Sequence, residues 1–303
     1  MEQILQALKE KNKFWRLPSE LSFALKDKTL IITLPQASLS QDMQNPTAAF
    51  DSWAIDIMVH ANKEEEKLVE KVRFELDESV VIADDDLHCN RSLYRLCRLK
   101  QSYNEWVELD KNIAEKIPSE YKDLDLVLNF PQGSSLPASA PDSEAALERK
   151  VVETNAIKMD VIDHQLPIGV FKGKVSKDTA YMNIGHAALD IWGIKDEELY
   201  LYELKKEGNT PLGIISELMF YTNIFNDVHN RVIHYPKDAD ACTERQFDKF
   251  KEIITKEGEL RIHSVFYAPK LHSMIDEDVL NLINKSKVFA DNNIKFEKLT
   301  LEL

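Results

Sequence analysis

Cysteine is scarce in this sequence. Its 303 residues include three cysteines, Cys89, Cys97 and Cys242, and no two of them form a Cys-x-x-Cys pair. Structural zinc sites and the disulfide frameworks of small secreted proteins depend on such paired or closely spaced cysteines. The scattered set therefore predicts free thiols.

Long apolar runs are missing as well. No stretch approaches the roughly 18 to 20 consecutive apolar residues of a membrane-spanning helix. The first residues, MEQILQALKEKNKFW, lack the basic-then-apolar layout of a secretory signal peptide. We therefore expect a cytoplasmic protein without membrane association.

Basic residues are outnumbered by acidic ones. The chain has 38 Lys and Arg against 52 Asp and Glu, which gives a formal net charge of −14. Proteins that coat nucleic acid nonspecifically neutralise phosphates with Lys and Arg, so the balance argues against that class. A local basic groove stays open, and so does a carboxylate site for a cation, because a bound cation offsets clustered acids.

A candidate linker divides the sequence near its middle. The chain is 44% hydrophobic and 30% charged, which is typical of a globular protein large enough for two modest domains. Residues 129–144, NFPQGSSLPASAPDSE, are rich in proline and serine and poor in charge. We therefore predict an α+β domain of unknown type over 1–130 and a second domain over 141–303.

Helical and strand-like patterns alternate in the first predicted domain. Apolar spacing predicts a helix over 2–13, a strand at 30–34, strand-like segments at 49–60 and 71–78, and a long helix over 90–117. Within that helix an arginine stripe, Arg91, Arg95 and Arg98, shares one face. Beside nearby aromatics such a stripe can contact phosphates or bases, although the solvated face of an amphipathic helix is the reading that the pattern favours.

The second predicted domain has the pattern of an α/β fold. A capped helix, SEAALERKVVETN, is followed by two apolar strands, AALDIWGI and ELYLYELK, around a turn at KDE. A helix beginning at Thr210 and Pro211 comes next, and strands and helices alternate to the end. This order predicts a central mixed sheet flanked by helices on both faces.

Three charged residues lie in or next to the two apolar strands. Glu203 and Lys205 are two residues apart and so point to one side of their strand, and the hairpin brings Asp190 beside them. Two carboxylates and an ammonium group suit a Mg²⁺ or Mn²⁺ site for phosphodiester hydrolysis, in which the metal acidifies water and the lysine orients the nucleophile. A cross-strand surface salt bridge is the alternative.

At these residues the chain resembles the PD-(D/E)XK nuclease superfamily, over about 144–228. The core of that family is a helix, a hairpin with an acid and then an acid-x-Lys tripeptide, and a following helix. Asp190 stands as the first acid, and Glu203-Leu204-Lys205 is the tripeptide thirteen residues later. The resemblance implies a restriction-endonuclease-like fold with Asp190 and Glu203 as metal ligands and Lys205 as a catalytic residue.

The resemblance also implies accessory residues. A glutamate of the opening helix often joins the metal shell in this family, which makes Glu148 the better candidate and Glu144 the second. Many members have a glutamine on the following helix, where this chain has Glu217. His186, four residues before Asp190, is a candidate for contacting substrate or protonating the leaving group.

Two functions of different class remain at this point. The first is a metal-dependent nuclease with DNA, rather than RNA, as its expected substrate, whose first domain selects the substrate, the partner or the assembly. A homodimer is the default expectation for an enzyme that cuts two strands. The second is a catalytically inactive nuclease-fold protein that serves as an interaction or assembly module.

Overall fold

The protein combines several mixed β-sheets with flanking helices, which confirms the predicted α/β class. The computed structural model describes residues 1–13, 16–62, 67–83, 85–133, 140, 142–182, 187–208 and 211–301. The helices are α1 (Glu2–Lys11), α2 (Gln36–Ser40), α3 (Phe50–His60), α4 (Leu87–Ser102), α5 (Lys111–Ala114), α6 (Glu144–Thr154), α7 (Ile214–His229), α8 (Phe247–Ile254), α9 (Glu277–Asn284) and α10 (Lys287–Asp291).

The strands are distributed along the whole chain. They are β1 (Ser22–Lys26), β2 (Thr29–Leu34), β3 (Lys71–Leu76), β4 (Val107–Leu109), β5 (Leu126–Leu128), β6 (Val161–Pro167), β7 (Val170–Lys172), β8 (Ala180–Met182), β9 (Ala188–Lys195), β10 (Glu198–Leu204), β11 (Ile233–His234), β12 (Ile262–Ala268) and β13 (Ile294–Thr300). None of the helices among the described residues is both long and apolar enough to cross a membrane.

The chain forms two compact units that are discontinuous in sequence. The first unit comprises 1–119, 211–217 and 272–290, and the second comprises 120–210, 218–271 and 291–303. The sequence-based division was a single cut between 130 and 141. Segments from beyond that cut belong to the first unit, a long-range association that linear composition does not reveal.

A four-stranded sheet with the order β1-β2-β3-β4 lies in the described part of the first unit. Strand β1 is antiparallel to β2, and the other two pairings are parallel. The strand predicted at 30–34 and the strand-like segment at 71–78 are confirmed as β2 and β3. The strand-like reading of 49–60 is wrong, because this segment is the helix α3.

Helix α3 misleads sequence reasoning because it is buried around most of its circumference. Its buried residues run from Phe50 to Ile57 without interruption and include His60. A helix that is buried on most sides has apolar residues around its circumference and so lacks a clear amphipathic period of 3.6 residues. Partial alternation of apolar and polar residues then imitates a strand.

Helix α4 is shorter than predicted. It begins after Asp86, whose carboxylate accepts hydrogen bonds from the backbone N–H groups of His88 and Cys89 at 2.8 and 3.0 Å, and it ends at Ser102. Tyr103 follows with a non-helical backbone, and the chain then enters β4. The predicted helix over 90–117 therefore spans a helix, a turn, a strand and the short helix α5.

A five-stranded sheet dominates the described part of the second unit. Its order is β13-β12-β10-β9-β6, with parallel pairing at the β13 side and antiparallel pairing from β10 to β6. Helix α6 packs against one face, where Val151 meets Ile191 and Tyr202. Trp192 projects from the opposite face, because neighbouring strand residues alternate, and contacts the Phe250 ring of α8 at 5.1 Å.

A smaller sheet accompanies it in the described part of this unit, with the order β11-β5-β7-β8. The prediction of free thiols is confirmed for all three cysteines, since Cys89, Cys97 and Cys242 form no disulfide.

Candidate functional site

The hairpin of β9 and β10 is the foundation of the candidate site, as the sequence predicts. Asp196 and Glu197 connect the strands with φ values of +52° and +61°, the left-handed pair of a type I′ turn. The register pairs Tyr202 with Ile191. One step further along the same register brings Glu203 opposite Asp190.

Lys205 joins the two predicted acids. Its Nζ lies 2.6 Å from Glu203 Oε1 and 3.9 Å from Asp190 Oδ2. Glu203 and Lys205 are each 2% exposed, so the group is not the solvated surface salt bridge that the sequence left open. A charge pair at this depth interacts strongly, because little water screens it.

Asp190 is held at the end of this cluster by the backbone. Its Oδ2 accepts a hydrogen bond from the Leu204 N–H at 2.8 Å, and its side chain is 17% exposed. Burial and the neighbouring Glu203 carboxylate raise the pKa of Asp190 well above its usual value, although Lys205 and the Leu204 N–H oppose the shift. Burial and the Glu203 charge therefore favour the protonated form of Asp190, and a nearby positive charge opposes that shift.

Glu148 reaches the same region from helix α6. Ser143 caps this helix, as its Oγ accepts a hydrogen bond from the Ala146 N–H at 3.2 Å. Glu148 is 3% exposed. Burial, followed by the charge of Asp190, raises the pKa of Glu148 to about 7.

Gln165 contacts Glu148 directly, although the sequence pattern does not identify it as a residue of the site. Its Nε2 donates to Glu148 Oε2 at 2.5 Å. The backbone of Gln165 is left-handed, with φ +55°, a conformation that costs a residue with a side chain about 1–2 kcal/mol. No sequence signal marks this position, because glutamine is not a residue typical of left-handed backbone.

The accessory candidates have different outcomes. Glu144 Oε1 accepts from the backbone N–H of Lys206, next to Lys205, at 3.2 Å. Glu217 is buried in the first turn of α7 and is part of the first compact unit. His186 lies outside the described residues. The roles of these three residues stay predictions.

The arginine stripe does not form a solvated face. Arg95 is 3% exposed and bonds Asp51 Oδ1 through Nη2 at 2.7 Å, while its guanidinium lies 4.3 Å from the centre of the Phe50 ring. Arg91 is 6% exposed and donates to the backbone oxygen of Gln41 at 2.5 Å. Both arginines are buried and bonded within the first unit. The predicted stripe of three arginines therefore does not form a surface that could contact nucleic acid. Arg98 is half-buried and donates to Gln101 Oε1 at 2.6 Å.

The donor chemistry fits a magnesium ion held by few protein ligands. Among the described residues, no group of three or more His, Cys, Asp and Glu side chains is placed to hold a metal ion. Mg²⁺ commonly binds through one or two carboxylates and completes its shell with water and substrate phosphate. Asp190 and Glu203 are two carboxylates of this kind, and they lie 3.9 and 2.6 Å from the same Lys205 Nζ.

A scan of protein-family models found no match, and a search of curated proteins also found none.

The raised pKa of Glu148 predicts a pH-dependent stability in metal-free buffer. The folded state binds the proton of the Glu148 carboxyl more tightly than the unfolded chain does. Its contribution to the free energy of unfolding is therefore fully present below the ordinary pKa of 4.5 and is lost as pH rises through about 7. A shift of this size corresponds to about 3 kcal/mol. Glutamine at position 148 cannot titrate. Between pH 4.5 and pH 8 we therefore expect the free energy of unfolding of Glu148→Gln to rise by about 3 kcal/mol relative to that of the wild type.

Urea unfolding in EDTA at several pH values measures this difference. Glu153→Gln is the matched control, because Glu153 is exposed on the same helix. If Glu148→Gln and wild type keep a constant difference across the range, the Glu148 carboxyl is not buried as described.

Proposed function

We propose that this protein is a metal-dependent nuclease that hydrolyses phosphodiester bonds, with DNA rather than RNA as its substrate. Its catalytic module is a restriction-endonuclease-like core of the PD-(D/E)XK type, formed by helix α6, the β9–β10 hairpin and helix α7. The observation that supports the proposal best is the joint position of Asp190, Glu203 and Lys205, with Lys205 Nζ within 2.6 and 3.9 Å of the two carboxylates.

The order of elements also supports this assignment. Helix α6 carries Glu148, strand β9 carries Asp190, strand β10 ends in Glu203-Leu204-Lys205, and helix α7 follows. This is the order that the family resemblance requires. Chance reproduces an acid-x-Lys tripeptide easily in a charged chain, but it does not easily place that tripeptide against an acid of the paired strand.

Asp190 and Glu203 would hold Mg²⁺ or Mn²⁺, together with Glu148, whose carboxyl is close enough to Asp190 for their charges to interact. When bound, the cation supplies charge neutralisation at the phosphate and acidifies water. Lys205 places its amino group beside both carboxylates, where it would orient the nucleophile and stabilise negative charge that develops on the phosphate.

A cleavage assay tests this proposal directly. The full-length protein is incubated with linear duplex DNA, circular duplex DNA, single-stranded DNA and RNA of matched sequence, in Mg²⁺, Mn²⁺ or EDTA. We expect metal-dependent cleavage of at least one DNA substrate, slower cleavage of RNA, and loss of cleavage in Asp190→Asn.

Glu197→Gln is the matched control, because Glu197 is an exposed acid of the same hairpin that pairs with Lys256 at 2.9 Å. Equal cleavage by wild type and Asp190→Asn would identify a contaminating nuclease. If no substrate is cut and no metal binds at millimolar concentration, the proposal fails and the scaffold function, an interaction or assembly module with a nuclease fold, takes its place. Sedimentation velocity in the same buffers tests the proposed homodimer.

A further inference from the structure

Gln165 has a strained backbone in the middle of an otherwise regular strand. Its φ is +55°, in the region that favours glycine and, more weakly, asparagine. Strand β6 continues on both sides, since His164 pairs with Ile191 and Leu166 pairs with Leu189. Conformations of this kind persist when the surroundings hold them, and they are concentrated at functional sites.

The register gives Gln165 a specific neighbour. The pairs on either side of it place Gln165 opposite Asp190 on the adjacent strand. A residue with ordinary strand geometry extends its side chain perpendicular to the sheet. The positive φ redirects the side chain of Gln165, whose amide bonds Glu148 on helix α6.

Two hydrogen bonds hold this arrangement. The guanidinium of Arg245 donates through Nη1 to the carbonyl oxygen of Gln165 at 2.5 Å. The side-chain amide of Gln165 donates to Glu148 Oε2 at the same distance of 2.5 Å. Strand β6 is at the edge of the five-stranded sheet, so its outward carbonyl needs a partner from outside the ladder.

We infer that Gln165 is a positioning residue that fixes the Glu148 carboxylate beside Asp190, with Arg245 maintaining the backbone conformation from which Gln165 reaches it. A neutral amide suits this task, because it donates a hydrogen bond to a carboxylate without bringing a positive charge that would compete with a cation. The inference rests on the proposed nuclease function and assigns Gln165 a role in that site.

Gln165→Gly separates this role from a structural one. Glycine accepts a positive φ without cost but has no amide, so we expect a Tm equal to or above that of wild type. The value of kcat on linear duplex DNA in Mn²⁺ should fall 10- to 100-fold, as for groups that orient metal-site ligands. If Gln165→Gly does not fold, Gln165→Asn replaces it, because asparagine tolerates the same backbone and is one methylene too short.

A double-mutant cycle shows whether Gln165 acts through Glu148. In a Glu148→Ala background we expect Gln165→Gly to change kcat by less than about 2-fold, since interacting residues are not additive. An unchanged kcat in Gln165→Gly alone overturns the inference. A full second loss in the Glu148→Ala background also overturns it.

If the wild type cleaves no substrate, a spectroscopic measurement still tests the contact between Gln165 and Glu148. The ¹H–¹⁵N resonance of the Gln165 side-chain amide is recorded in the wild type and in Glu148→Ala. A displaced resonance that returns to the range of free glutamine amides in the variant supports the positioning of Glu148, while the nuclease proposal alone fails. Identical resonances in the two proteins overturn the inference itself.

Discussion

Replacing Lys205 by methionine is expected to lower kcat for DNA cleavage by about 10²- to 10³-fold, the usual effect of losing one group that stabilises transition-state charge. Lys205 Nζ lies within 3.9 Å of Asp190 Oδ2 and 2.6 Å of Glu203 Oε1, so its charge is located where the proposed reaction needs it. Methionine retains the apolar length of the side chain and removes the ammonium group.

The same substitution also perturbs folding. Glu203 and Lys205 are both 2% exposed, and removing one partner of a buried ion pair costs roughly 3–5 kcal/mol because the other charge stays buried. A loss of activity in Lys205→Met alone would therefore have two explanations. The double variant Glu203→Gln/Lys205→Met removes both charges and should recover much of the stability while staying inactive.

Lys256→Met is the matched control for Lys205→Met. Lys256 is half exposed and pairs with the exposed acid Glu197 at 2.9 Å, and surface pairs of this kind contribute little. We expect wild-type cleavage and wild-type stability from this variant. Single-turnover cleavage and urea unfolding on the same preparations measure both quantities. A Lys205→Met protein that cuts at the wild-type rate would remove Lys205 from the mechanism.

Arg95→Ala is expected to destabilise the first unit by roughly 3–5 kcal/mol, since it isolates the buried carboxylate of Asp51. Arg95 donates to both oxygens of Asp51, at 2.7 and 3.2 Å, and to the backbone oxygen of Ala48 at 2.8 Å. Asp51 also accepts from the Ser52 backbone N–H and from Ser216 Oγ. Arg95 is thus one member of a buried polar network. Its removal takes a hydrogen-bond donor away from both the Asp51 carboxylate and the backbone oxygen of Ala48.

Arg98→Ala provides the comparison, because Arg98 is on the same helix and bonds the side chain of Gln101. We expect a smaller loss than for Arg95→Ala, because the Arg98 side chain is only half-buried, whereas removing Arg95 leaves the buried carboxylate of Asp51 without its cation. Urea unfolding followed by far-ultraviolet circular dichroism measures both variants. Equal stabilities of Arg95→Ala and Arg98→Ala would contradict the buried network and return Arg95 to the candidates for nucleic-acid binding.

The hairpin and its charged residues were predictable because they depend on short-range signals. Strand alternation, the turn at Asp196 and Glu197, and the spacing of Glu203 and Lys205 all lie within a few residues of one another. The cap at Ser143 is local in the same way. These local signals are enough to predict that Asp190, Glu203 and Lys205 lie close to one another.

Features that depend on distant partners were not predictable. The partner of Arg95 is 44 residues away, so its burial leaves no trace in the spacing of the arginine stripe. Helix α3 looks strand-like because burial on most sides removes its helical period. The left-handed conformation of Gln165 depends on Arg245, 80 residues later, and no local rule indicates it.

Asp190 and Glu203 are proposed to hold one divalent cation together. Titration of the full-length protein with Mn²⁺, followed by electron paramagnetic resonance of the free ion, tests it without any assumption about the substrate. We predict one bound Mn²⁺ per chain in the wild type, an affinity at least 10-fold lower in Asp190→Asn, and wild-type binding in Glu197→Gln. A wild type that binds no Mn²⁺ at millimolar concentration, or an Asp190→Asn variant that binds it equally well, would contradict the claim.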